Sequence, residues 1–287
     1  MTPTLEGSAA LVTGGGSSIG FESARRLARD GAAVTIVGRD ESKLQRAAET
    51  LRQERPGARV EWTRCDVTIE SDVERAVAYA TDRHDVLNIC VASAGGSSGM
   101  APLLLTPADQ LRDDLALNIV GTFLTLKHSA TAMRAAGGGS FVAISSNSAT
   151  IAYPYLSSYC ASKAGLEALI RVAADELGTF NIRVNALRPG LVRREAHSPI
   201  FSDPRLVDNY LRVTPLGRTG IAADVGGAVR FLAGPESAWV TGQSFAVDGG
   251  HELRGAPDLE AVARRRLGDE AMDGVTATTQ PSAAPGA

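Results

Sequence analysis

Tyr159 and Lys163 stand four residues apart in "SSYCASKAG", at the start of a segment with helical periodicity, so both side chains project from one helix face. A free tyrosine has a pKa of about 10, too high for a base at neutral pH. A neighbouring ammonium and a helix N-terminus both stabilise the phenolate, and together they turn Tyr159 into a proton donor or acceptor. The same spacing also occurs on solvated helix faces, where it does no chemistry. A second group of residues suits a phosphate. In "LVTGGGSSIG", Leu11 to Gly20, the glycines Gly14, Gly16 and Gly20 depart from the G-x-G-x-x-G spacing. Their place still matters, because a first strand hands over to a first helix there and the unpartnered N–H groups of that helix attract an anion. Gly14 suits the tight turn, Gly16 adds freedom, Gly20 lets the helix approach the sheet, and Ser17 and Ser18 offer hydroxyls. The bland alternative is a flexible loop. In "IVGRD", Gly38 leaves room and Arg39 offers a planar cation for a ribose 2′-phosphate, which favours NADP(H) over NAD(H). Asp40 either meets the ribose or caps the next helix.

These residues need a scaffold, and the pattern supplies one. Short β-branched runs, "AALVT", "AVTIVG", "RVEWTRC" and "VLNICVAS", alternate with helical segments at Ile19 to Asp30, Glu41 to Arg55 and Glu70 to Arg83. The second half continues with a helix from Leu111 to Ala136, a strand "SFVAISS", a helix from Ser158 to Leu177, a strand "IRVNAL", a helix from Ala223 to Leu232 and a strand "SFAVD". The pattern predicts an α/β fold in one domain, a doubly wound parallel sheet of about seven strands with helices on both faces. Residues 1–255 form the dinucleotide-binding and catalytic domain. Within it, residues 191–220 read as an irregular substrate-loop insertion that closes over the ligand. Residues 256–287 are a C-terminal extension with a short helix around Leu259 to Leu267, and its end, "DGVTATTQPSAAPGA", reads as disordered.

The 287 residues carry a net charge of −3, which gives no basic field for nucleic acid or an anionic membrane. No apolar run approaches the roughly 20 residues that span a bilayer. Cys65, Cys90 and Cys160 have neither zinc nor disulfide spacing, so they read as reduced thiols with no metal site, in a soluble, cytoplasmic protein.

The motifs "TGGGSSIG", "CDV", "LNIVGTF", "ISS", "YCASK", "RPG" and "VTGQSFAVDGG" occur in the order of the short-chain dehydrogenases/reductases, and the chain resembles that family from about Ala9 to Gly250. The resemblance implies a Rossmann fold and a catalytic tetrad of Asn118, Ser146, Tyr159 and Lys163. Ser146 would hydrogen-bond the substrate oxygen and Tyr159 would transfer the proton. Lys163 would assist Tyr159 and hold the nicotinamide ribose, while Asn118 would anchor a water leading to solvent. Ser145 would be a neighbour of the catalyst. The resemblance further implies cofactor contacts from Ile19, Asp66, Val67, Ala94, Gly95, Tyr159, Lys163, Pro189, Gly190 and Val192; a turn cap is the alternative for Asp66. It implies alcohol–ketone interconversion, a small-molecule substrate and a homotetramer built on the helices around Leu115 to Met133 and Tyr159. The chain departs from the family's pattern at Ser18, at "ASAG" (Ala92 to Gly95), where Ser93 would replace part of the usual asparagine bonding, and at Arg194. There Arg193 or Arg194 would meet cofactor phosphates or an anionic substrate group, with solvated arginines as the alternative.

The pocket is expected to draw on "GGSSGMAPLLL", Tyr153, Tyr155 and "HSPIFSDPRLVDNYLRV", apolar residues that fit a lipophilic substrate such as a 3-oxoacyl thioester or steroid. The competing reading is a non-catalytic dinucleotide-binding regulator of the same fold.

Overall fold

In the computed structural model, residues 5–193 and 201–275 are described. The Arg194 expectation, part of the 191–220 insertion and the last residues of the tail lie outside them. Seven parallel strands form one sheet in the order β3-β2-β1-β4-β5-β6-β7. They are β1 (Ala9–Thr13), β2 (Ala33–Gly38), β3 (Val60–Arg64), β4 (Ile89–Ala92), β5 (Gly139–Ile144), β6 (Ile182–Pro189) and β7 (Ser244–Val247). The expected doubly wound α/β sheet is the observed one. The strand order reverses between β1 and β4, so the crevice beyond their carboxyl ends is the natural ligand site.

Alternation along the strands divides the core. Leu11 of β1 faces one layer while Ala10 and Val12 face the other. The first layer packs the sheet against α3 (Glu70–His84), α5 (Gly121–Ala135) and α6 (Ser157–Gly178). The second packs it against α1 (Ser18–Arg29), α2 (Glu41–Glu54) and α8 (Ala222–Ala233). The long helix expected from Leu111 begins earlier, as α4 (Ala108–Leu115), and passes through a π-helical turn, Ala116–Val120, before α5. Such a bulge re-aims side chains at functional sites, and Asn118 lies within it.

One expectation needs correction. The insertion is not wholly irregular: α7 (Pro204–Val213) lies within it, because Asp203 accepts from Arg205 N as an N-cap, Pro204 pre-sets the first turn, and Leu206 and Tyr210 bury one face. The C-terminal segment after β7 carries the expected short helix. Its α9 (Glu260–Leu267), close to the expected short helix, buries Leu259 and Ala263, and Leu259 packs in one apolar cluster with Tyr153, Leu206 and Tyr210.

Among the described residues no helix is long and apolar enough to cross a membrane, and no cluster of His, Cys, Asp or Glu is suited to a metal ion. His84, which faces the Thr35 hydroxyl at 3.0 Å, and His251 are both buried, and burial pushes each imidazole pKa below its ordinary value. The unfolded chain therefore binds protons that the folded chain refuses. Stability is complete above the unfolded pKa of about 6.5 and declines as pH falls below it. Thermal unfolding from about pH 7 to about pH 5 should show a falling midpoint, and the double change His84→Gln with His251→Gln should flatten the decline; an identical slope in both proteins contradicts this.

Candidate active site

A cleft of about 1500 Å³ opens at the carboxyl ends of the strands. At one end the turn between β1 and α1 supplies Gly14, Ser17, Ser18, Ile19 and Gly20 to its wall, while Gly16 is not part of that wall. Gly14 has φ +65°, and a Cβ on Gly20 would sit 2.3 Å from the Gly14 carbonyl oxygen, so α1 packs directly on the turn. No side chain caps the first turn of α1. Its N–H groups and dipole face the cleft uncompensated, an arrangement that fits the pyrophosphate of a dinucleotide. Ser18 sits at φ +50°, a left-handed conformation that explains why glycine suits this position and why a small polar residue is the tolerable substitute.

Next along the cleft, Arg39 is exposed at the end of β2. Asp40 is committed elsewhere: it accepts from Lys43 N at 3.1 Å and from Ser42 Oγ at 2.8 Å, and these bonds hold its carboxyl below the usual range. It is the cap of α2. Asp66 accepts from Thr68 N and Thr68 Oγ1, so it also caps a turn, although it lines the cleft with Val67. Partial burial pushes the Asp66 carboxyl up, but the Thr68 bonds and the charges of Arg39 and Arg64 outweigh burial and hold it low.

After β4 the chain passes Ala94 and Gly95, both on the cleft wall. The bonding expected of Ser93 comes from its backbone: Ser93 N and Ala94 N each donate to Thr13 Oγ1 at 3.1 Å, which ties the exits of β4 and β1 together. A Cβ on Gly95 would lie 2.9 Å from Asn118 Oδ1 and 3.2 Å from Lys163 Nζ, so this glycine lets backbone pass between Asn118 and Lys163. Asn118 is fully buried behind the wall. It donates to Gly96 O at 2.8 Å and Ser162 Oγ at 3.0 Å and accepts from Gly96 N at 3.1 Å.

Tyr159 and Lys163 rise from the first turns of α6 into the cleft. Lys163 is only 3% exposed, lies 5.8 Å from the centre of the Tyr159 ring and donates to Ile144 O at 2.8 Å. A buried ammonium is costly to desolvate unless it is bonded and used, so its place beside a phenol is informative. Ser146 follows β5 in an extended conformation, lines the cleft and accepts from Ser148 N at 3.2 Å. Ser145 is occupied, donating to the buried Glu167 at 3.0 Å. Pro189, Gly190 and Val192, at and after the end of β6, complete the far wall.

Sequence reasoning missed some contributors and misplaced others. Tyr155 and the exposed Leu103, Leu104 and Leu105 do not line the cleft, whereas Tyr153 does. Arg193 lies outside it, with its guanidinium 5.1 Å from the Phe201 ring centre. Asp114, 1% exposed, was missed. It accepts from Ser158 Oγ at 2.6 Å and Ser98 N at 2.7 Å, and so fixes the residue before Tyr159 to the loop after β4. Val262, Arg265 and Arg266 of α9 also line the cleft, and Arg265 pairs with Asp203. The only available signal for them was the apolar spacing of Leu259 and Ala263.

Residues 14–252 match a family profile described as enoyl-(acyl carrier protein) reductase. The chain is 36% identical over 252 residues to galactitol 2-dehydrogenase (L-tagatose-forming) of Cereibacter sphaeroides, covering 87% of this chain and 96% of that protein. A short-chain type dehydrogenase/reductase from Mycobacterium ulcerans superposes with TM-score 0.91 at 38% identity, covering 95% of this chain and 100% of the other. A 7α-hydroxysteroid dehydrogenase complexed with NADH and 7-oxo glycochenodeoxycholic acid superposes with TM-score 0.83 at 31% identity, covering 89% and 97%.

Proposed function

The chain belongs to the short-chain dehydrogenase/reductase family, and from that premise we propose that it is an NADP(H)-dependent oxidoreductase interconverting a secondary alcohol and its ketone. The observation that carries this reading is the buried Lys163 beside Tyr159 on the wall of a cleft that a glycine turn and a helix N-terminus adapt to a dinucleotide. The nicotinamide supplies the hydride when bound. The chain's own residues do the rest.

Tyr159 gives its phenolic proton to the substrate oxygen during reduction and takes it back during oxidation. Lys163 stabilises the negative charge that this leaves on the phenol, and its fixed bond to Ile144 O keeps the ammonium in place. Ser146 hydrogen-bonds the same substrate oxygen from the end of β5. Asn118 acts behind them by bracing Gly96 and Ser162, so that the loop after β4 and the first turns of α6 keep one spacing. Asp66, Val67, Ala94, Gly95, Pro189, Gly190 and Val192 are the cofactor's remaining contacts in this reading. A non-catalytic regulator has no use for an ammonium buried at this cost. The enoyl chemistry in the family profile's description is the weaker reading, because the Tyr–Lys spacing of this chain resembles that of the carbonyl-reducing members.

The Arg39 guanidinium favours NADP(H), since Asp40 is tied up in its cap. Arg39→Ser is expected to weaken NADPH binding by about ten- to a hundredfold and to leave NADH nearly unaffected, a range set by one charge-assisted contact of about 1.5–3 kcal/mol. Fluorescence titration with both cofactors decides it, and equal losses for the two contradict the assignment.

A homotetramer fits the apolar residues left exposed on the site's outer helices. Val120 and Phe123, on the π-turn and α5, are 44% and 47% exposed, and Val172 on α6 is 56% exposed. The reduced thiols fit a cytoplasmic location. The substrate half of the cleft, lined by Met100, Leu156, Leu191 and Leu206, suits a ligand with an apolar body.

A further inference from the structure

Two side chains immediately after Ser146 line the cleft yet have unmet hydrogen-bonding capacity. Asn147 and Ser148 are 3% and 4% exposed, and neither Asn147 Nδ2 nor Ser148 Oγ has a partner. An orphaned buried polar group of this kind costs about 1–3 kcal/mol. Such groups are few in native folds, and a place at a functional site is one reason to keep them.

The surroundings hold this corner firmly. Tyr153 donates its hydroxyl to Asn147 Oδ1 at 3.0 Å and lies 3.2 Å from His251 Nε2. His251 is itself wedged between the Tyr153 and Tyr210 rings, with centroid distances of 5.9 and 5.8 Å. Burial holds the His251 imidazole below its ordinary pKa, and the Tyr153 hydroxyl donates to the Asn147 amide oxygen. The amide oxygen is thus used from behind and the amide N–H groups are left over. Ser148 is equally close to the chemistry, since its backbone N–H donates to Ser146 Oγ at 3.2 Å.

We propose that Asn147 and Ser148 form a hydroxyl-recognition corner, so that the preferred substrates carry a second hydroxyl on the carbon adjacent to the reacting one: α-hydroxyketones in reduction, vicinal diols in oxidation. A hydroxyl both donates and accepts, so it can take an N–H from Asn147 while giving its proton to Ser148 Oγ. The adjacent carbon is the one within reach, because the corner follows directly on Ser146, the residue assigned to the reacting oxygen. Both residues belong to the cleft lining, and both orphaned atoms are buried. The inference rests on the oxidoreductase reading and narrows its substrate class, with the apolar wall holding the remainder of the molecule.

The test compares acetoin with butanone as substrates for NADPH oxidation, in the unaltered protein, in Ser148→Ala and in Asn147→Asp. The unaltered protein should favour acetoin in kcat/KM by about tenfold or more. Intrinsic reactivity contributes to that ratio equally in all three proteins, so the change in the ratio is decisive. It should collapse to within about threefold in Ser148→Ala, while the thermal midpoint holds or rises because the deleted hydroxyl has no partner in the free protein. Asn147→Asp should lower it further. A ratio unmoved by both substitutions, or butanone turned over as well as acetoin by the unaltered protein, overturns the corner alone. No nicotinamide turnover with either ketone overturns the corner together with the oxidoreductase reading beneath it.

Discussion

Tyr159→Phe should lower kcat by about 10² to 10⁴, the usual worth of a positioned proton donor, while the cofactor Kd stays within about twofold. The asymmetry follows from the site. Phenylalanine keeps the ring beside Lys163, whose ammonium remains held by Ile144 O at 2.8 Å, so the cofactor side of the cleft is undisturbed. Only the hydroxyl assigned to proton transfer in the proposed mechanism is lost. Steady-state turnover and a cofactor titration on one preparation separate the two effects. Turnover within about threefold of the unaltered protein would remove Tyr159 from the mechanism.

Gly20→Ala should act on the opposite side of the cleft and in the opposite sense, through cofactor binding. An added Cβ meets the Gly14 carbonyl oxygen at 2.3 Å and its carbon at 2.7 Å, and both are backbone atoms that cannot rotate away. Alanine gains up to about 1 kcal/mol of helix propensity over glycine, but displacing packed backbone costs about 1–3 kcal/mol, so the clash wins. The turn must separate from α1, and the anion site at the helix N-terminus opens with it. NADPH binding should weaken by about tenfold or more, with a loss of about 1–2 kcal/mol in stability. The control is Gly227→Ala in α8, where a Cβ meets nothing within 4 Å. It should leave cofactor binding alone and raise stability by up to about 1 kcal/mol. Equal behaviour of the two variants contradicts the account of the loop.

The contrast shows where sequence carried the argument and where it did not. The parallel sheet was legible because β1, β2 and β4 are short, mostly apolar runs without strict alternation, as strands buried on both faces read, and they alternate with longer helical segments. The pairing of Tyr159 with Lys163 was legible because both are local to one helix, whereas Ser146 and Asn118 were joined to them by the resemblance alone. The role of Asp40 was undecided until its bonds to Lys43 and Ser42 were seen, since a cap and a ribose ligand ask for the same residue. Asp114 was beyond reach: it bonds Ser158 from 44 residues away, and no spacing rule connects them. The same holds for α9, whose Val262 and arginines reach the cleft because Leu259 docks beside Tyr153, Leu206 and Tyr210. Helix α7 was hidden by a polar, proline-containing stretch, although Asp203 and Pro204 are a recognisable helix start. The orphaned atoms of Asn147 and Ser148 are visible only once every neighbour's bond is placed.

The central claim is hydride transfer between the nicotinamide and a carbonyl carbon, and isotope transfer measures it directly. The full chain is incubated with acetoin, butanone and a panel of larger ketones, with NADPH deuterated at the transferring position, and the alcohols are analysed by mass spectrometry. The account predicts one deuterium on the new carbinol carbon per cofactor oxidised, with Tyr159→Phe suppressing its appearance. Cofactor oxidation without deuterium in any alcohol, or equal transfer by Tyr159→Phe, would contradict it.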